Sequence, residues 1–226
     1  MNKKKIFIAC DTASPKKINQ IIKESQTSKL NIHYKIGLEF FFSPKGREFI
    51  KKLKNKKIFL DLKLNDIPNT CVAAISSLRD LSNISYLTVH INGGLEMLKA
   101  VKKATKKIKV LGVTILTSFS NSSIKKIGHT KSIKELVKKQ VALAKLAKLD
   151  GIVCSGHEAK FLKKICKNME IITPGIRLRG ENNNDQKRVL TPKQAFKNGA
   201  TAVVIGRSIT KGKIKKNIQK LIKSLN

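Results

Sequence analysis

A lysine flanked by two aspartates sits in the stretch FLDLKLNDIPNT, residues 59–70. On a β-strand, the spacing of Asp61 and Lys63 puts both side chains on one face, and Asp66 follows in the loop. Charged groups are tolerated out of water only when paired. Lys35, at the end of the preceding apolar run, can supply the second cation. The outcome is an alternating Lys, Asp, Lys, Asp array that balances its own charge and holds a proton donor, the Lys63 ammonium, beside fixed negative charge. A network serving stability alone is more cheaply apolar, so the array reads as chemistry.

A second cluster lies toward the C-terminus. TPGIRLRGENNNDQKR, residues 173–188, is too polar to form core. The next apolar run ends in VIGRS, where the Gly206 N–H and the Arg207 guanidinium would face the same opening. Peptide N–H groups with a planar, bidentate cation suit a phosphate.

Eight short runs rich in Ile, Val and Leu must position these groups: KIFIACD, HYKIGLEF, KIFLDLKL, YLTVHI, KVLGVTILT, GIVCS, EIITPGI and TAVVIGR. They are nearly continuous rather than alternating, the pattern of parallel strands covered on both faces. Between them lie Lys-faced amphipathic segments such as PKKINQIIKESQ, SPKGREFIKKLKN, IKELVKKQVALAKLAKL and TPKQAFKNG. Eight such units predict a closed (β/α)₈ TIM barrel of the α/β class, with residues 1–226 as a single domain. No GxGxxG follows the first run to favour an open doubly wound sheet. Barrel sites collect where strands end, and these ends carry Asp11, Lys35, Asp61, Lys63, His90, Thr117, Ser155, Pro174, Gly206 and Arg207. For His90 and Ser155, a hydrogen-bonded wall role and a ligand role are equally open.

With 226 residues, 41% apolar and 27% charged, the chain can bury roughly 70% of its unfolded surface without a metal or disulfide staple. No run approaches the roughly 18 apolar residues of a membrane span. The apolar stretch of MNKKKIFIACD stops at Asp11, too short for a signal-peptide core, and reads as a first strand. Cys10, Cys71, Cys154 and Cys166 form no CxxC pair and read as reduced core thiols, which implies a cytoplasmic location. Lys+Arg 48 against Asp+Glu 14 gives +34, yet only six of the basic residues are Arg and aromatics are 5% with no Trp. A dispersed Lys excess without stacking aromatics argues against a specific nucleic-acid partner.

Taken together, DLKLNDIPNT, KIG at 35–37, GVTILTS at 112–118, TPGIR at 173–177, DQKR at 185–188 and IGR at 205–207 resemble the bacterial-type orotidine 5′-phosphate decarboxylases. The resemblance runs in order from Asp11 to Arg207. It implies a homodimeric barrel that converts orotidine 5′-monophosphate to UMP in de novo pyrimidine synthesis, with no metal or organic cofactor. It implies Lys63 as proton donor to pyrimidine C6, Asp61 against the departing carboxylate, and Lys35 and Asp66 completing the array. Asp66 and Thr70 would reach the partner subunit's site, and Ile67 between them would also bind substrate. Asp11 and Lys35 would contact the ribose and Thr117 would lie near the base. Arg177, Gln186, Gly206 and Arg207 would serve the phosphate and a closing loop over 177–190. Leu178 and Ser208 stand where that family often has Pro, and Cys10 and Thr12 flank Asp11 where small apolar residues are common. The competing reading is a Mg²⁺-dependent sugar-phosphate decarboxylase or aldolase of the same barrel group, which shares Asp-x-Lys-x-x-Asp but generally lacks the Ile-Pro-Asn-Thr tail.

Overall fold

Strand formation follows the apolar runs. The computed structural model describes residues 3–178 and 189–225. Its strands are β1 (Lys5–Ala9), β2 (Asn31–Gly37), β3 (Ile58–Leu64), β4 (Ile84–His90), β5 (Lys109–Val113), β6 (Gly151–Val153), β7 (Glu170–Thr173) and β8 (Ala202–Ile205). Each pairs in parallel with the next, and β8 pairs with β1 to close the barrel.

Alternation within a strand explains why the runs look continuous. Along β1, Ile6 and Ile8 join the large cluster packed under the helices, whereas Phe7 and Ala9 join an inner cluster with Phe59, Tyr86, Leu111, Ile172 and Val204. Both faces are therefore apolar. Local signals start the helices. Ser14 accepts a hydrogen bond from the Lys17 N–H ahead of Pro15–Glu24, whose Ile18, Ile21 and Ile22 are buried. Capping boxes Ser132/Glu135 and Thr191/Gln194 open Ile133–Leu146 and Pro192–Lys197. Among the described residues no helix is long and apolar enough to cross a membrane.

Two runs stop sooner than their composition suggests. HYKIGLEF leaves the sheet at Gly37 and turns into the short helix Leu38–Phe41, and β5 ends at Val113, so TILT belongs to the loop above it. An apolar run alone does not distinguish strand from buried helix. Here it is the end of pairing, Gly37 with Asp61 and Val113 with Val153, that fixes the boundary.

The N-terminal end of the barrel is closed by a polar plug. Glu170 receives Lys5 Nζ at 2.7 Å, Lys109 Nζ at 2.5 Å and the Tyr86 hydroxyl at 3.1 Å. Beside it His33, 3% exposed, meets the Phe7 ring edge-on at 5.3 Å and shares a hydrogen bond of 3.0 Å with Asn31 Oδ1. Burial first, then the positive charges of Lys5 and Lys57, push its pKa down from 6.5 to about 4.

The fold thus favours neutral His33, and its contribution to stability is present above pH 6.5 and lost as pH falls toward 4. Chemical denaturation of the wild type and His33→Gln from pH 7.5 to 4 should show the gap between them changing over that window in favour of the variant at low pH. Parallel stability curves would refute this.

Candidate active site

The strand order brings the charged residues together. Asp11 follows β1, Lys35 lies on β2, and Asp61 and Lys63 lie on β3, three neighbouring strands. Lys35 Nζ contacts Asp11 Oδ1 at 3.1 Å and Asp61 Oδ2 at 3.3 Å, and Lys63 Nζ contacts Asp61 Oδ1 at 3.0 Å. The two oxygens of Asp61 are thus divided between two ammonium groups. Gly37 lies beside these groups, where a Cβ would make only ordinary contact with Lys35 Nζ at 3.5 Å.

Burial is graded across the array. The side chains of Lys35 and Asp61 are 11% and 13% exposed, whereas Lys63 is 34% and Asp11 64% exposed. Burial raises the cost of charging Asp61, but Lys35 and then Lys63 outweigh it and hold the carboxyl below its usual range. Burial likewise disfavours the Lys35 ammonium, and Asp61 and Asp11 more than compensate, so its pKa is raised. Both groups are ionised at neutral pH.

These groups face a cavity of about 460 Å³ at the C-terminal ends of the strands. Phe59, Val113, Val153 and Val204 form its apolar floor, Thr117 and Arg177 stand at its side, and Gly206 and Arg207 form the rim beyond Asp11. Gly206 closes β8 against the first strand, so that a Cβ there would lie 3.7 Å from Asp11 Oδ2. Gly175 takes a φ of +75°, a turn conformation that suits glycine, and directs the chain from β7 around the mouth. Arg177 is buried, with Nη1 donating to the Ile176 carbonyl at 3.0 Å.

Other expected residues lie elsewhere. Asp66, Ile67 and Thr70 are exposed and do not line this cavity, and Asp66 Oδ1 accepts from the Ile67 N–H at 2.7 Å. Ser155 caps the helix Gly156–Leu162 in a reciprocal box with Glu158, which accounts for it as a wall residue. His90 ends β4; burial first and then Lys63 lower its pKa, and its Nδ1 is buried without a partner among the described residues. Gln186 and most of the 177–190 segment lie outside the described residues. Sequence reasoning overlooked Thr88, whose hydroxyl touches both Asp61 and the Lys63 main chain. The signal was available, since Thr88 shares strand parity with inward-facing Tyr86.

Fold and site define a class, the (β/α)₈ barrel enzymes whose strand-end mouth joins a charged Lys and Asp array to a glycine and arginine rim. A family model described as "Orotidine 5'-phosphate decarboxylase / HUMPS family" matches residues 4–220, and the chain belongs to that family. It is 43% identical to an orotidine 5'-phosphate decarboxylase of Prochlorococcus marinus (strain MIT 9215), over 92% of this chain and 89% of the relative. It is 42% identical to the one from Wolbachia sp. subsp. Brugia malayi (strain TRS), over 98% and 99%. The crystal structure of the Lactobacillus acidophilus orotidine 5'-phosphate decarboxylase superposes with a TM-score of 0.84 at 32% identity, covering 99% of this chain and all of that one.

Because the Lys35 charge, together with Lys63 and the Thr88 hydroxyl, keeps Asp61 ionised, Lys35→Met should raise the Asp61 pKa. Carboxyl carbon NMR titration of the two proteins reads this directly. An unmoved Asp61 titration would mean that Lys63 suffices.

Proposed function

We propose that Lys63 is the proton donor in the conversion of orotidine 5′-monophosphate to UMP. The chain is a decarboxylase of pyrimidine biosynthesis. What carries the residue assignment is the 3.0 Å contact between Lys63 Nζ and a buried, ionised Asp61 at the cavity wall.

The chemistry follows from the charges. Loss of CO₂ leaves an electron pair at pyrimidine C6, which is costly without a nearby cation. A preorganised ammonium lowers that cost as charge develops, then delivers its proton to C6. Asp61 orients the ammonium and sets negative charge against the substrate carboxylate, an interaction relieved as CO₂ departs. Asp11 and Lys35 suit the ribose hydroxyls, and Thr117 the base. Gly206 and Arg207 suit the phosphate, with Arg177 and Gln186 assigned beside it. Binding energy at that distant phosphate can offset the strain at the reacting carbon.

Asp66, Ile67 and Thr70 act on the partner's site in a homodimer. Exposed Leu38 and Phe42, in and just after the short helix that follows β2, and Ile67, after β3, support a buried face there. The whole chain works as one domain, and four buried, unpaired cysteines support a cytoplasmic setting.

Lys63→Ala should lower turnover of orotidine 5′-monophosphate by about 10⁴-fold, combining lost proton transfer and lost electrostatic stabilisation, while UMP still binds. Near-normal turnover would remove Lys63 from its role. EDTA should leave wild-type turnover unchanged; its loss would favour the Mg²⁺-dependent reading. Mixing and refolding Lys63→Ala with Asp66→Ala should recover roughly a quarter of wild-type activity if sites are shared across a two-fold dimer. No recovery would place Asp66 outside the partner's site.

A further inference from the structure

The ladder between β3 and β4 is interrupted where the charged array is built. Leu60 pairs with Leu87 and Leu64 with Val89, so Asp61, Leu62 and Lys63 all stand opposite Thr88. Such a bulge bends the strand and takes main-chain groups out of regular pairing. The Lys63 N–H donates instead to the Thr88 hydroxyl at 2.9 Å. That hydroxyl in turn donates to Asp61 Oδ1 at 3.0 Å, the oxygen that Lys63 Nζ contacts at 3.0 Å. A hydroxyl can accept and donate at once, so the two bonds coexist with defined directions. Thr88 is fully buried, so water does not substitute for it.

The backbone at Lys63 needs such a hold. Its φ is +51°, in the left-handed region that residues with a Cβ rarely adopt and that persists only where the surroundings enforce it. We propose that Thr88 is a positioning residue for the reaction: its hydroxyl locks the left-handed backbone of Lys63 and the orientation of Asp61, presetting ammonium and carboxylate before substrate arrives. This rests on the assignment of Lys63 as proton donor. Thr88 does not line the cavity, so its effect falls on turnover rather than on substrate contact.

Thr88→Val keeps the branched shape and removes both bonds; Thr88→Ser keeps the hydroxyl. The charged groups around Asp61, namely Lys35, Lys63 and, across Lys35, Asp11, with His90 beyond Lys63, are the same in both variants. In folded Thr88→Val, verified by thermal melting, kcat on orotidine 5′-monophosphate should fall about 10²-fold, the scale for an ångström of misplacement, with KM unchanged. The acidic limb of its kcat profile should move to higher pH, because Asp61 loses a hydrogen bond that favours its charged form. Thr88→Ser should stay close to wild type in both. Wild-type kcat and pH profile in Thr88→Val overturn the proposal, as does a Thr88→Ser protein as slow as Thr88→Val. A crystal structure of Thr88→Val in which Lys63 keeps its positive φ and Asp61 its orientation also overturns it. Should the wild type itself fail to decarboxylate, the decarboxylase reading falls first, while that crystal structure still tests the positioning role.

Discussion

A carboxylate withdrawn from water keeps its charge only if cations stand close enough to replace the lost hydration. Asp61 meets that condition twice, with Lys35 on one oxygen and Lys63 on the other. The rest of the site depends on this division. Lys35 is shared between Asp61 and Asp11, while the Lys63 ammonium contacts Asp61 and stays the more exposed of the two. The two ammonium groups thus differ in contacts and exposure although they are the same residue type.

The parallel barrel makes this arrangement inexpensive to build. Asp11, Lys35 and Asp61 come from the C-terminal ends of consecutive strands, where the interior is no longer filled by apolar layers. At the opposite end, Glu170, Lys5, Lys109 and Tyr86 close the barrel with pairs that face no cavity with the array. The two ends separate the tasks: ionic closure below, and above, charge held ready beside a pocket with an apolar floor. The bulge in β3 belongs to the second task, since it exchanges regular ladder bonding for a particular aim of Lys63.

The large positive charge fits the same picture without taking part in it. At +34 the surface attracts anions at long range and in a salt-dependent manner. The array itself is locally balanced, with Asp11 and Asp61 set against Lys35 and Lys63. Composition alone therefore pointed away from the chemistry, and the spacing of a few carboxylates among many lysines pointed toward it.

Much was legible in the chain because parallel strands buried on both faces must be apolar throughout, so charged residues at their ends are conspicuous. Eight runs gave eight strands, and Asp11, Lys35, Asp61 and Lys63 were marked by residue type and position. The boundaries at Gly37 and Val113 were not legible, since an apolar run is equally at home in a strand or a buried helix until pairing decides. Nor was the way Asp61 and Lys63 meet: strand alternation placed them on one face, but the contact is made across a bulge, with Lys63 in a left-handed conformation and Thr88 bonded to both. The sequence by itself determined which groups could carry charge and that a closed barrel would gather them. Only the tertiary structure decided which oxygen meets which ammonium and what holds them there, because hydrogen bonds and strand register depend on neighbours distant along the chain.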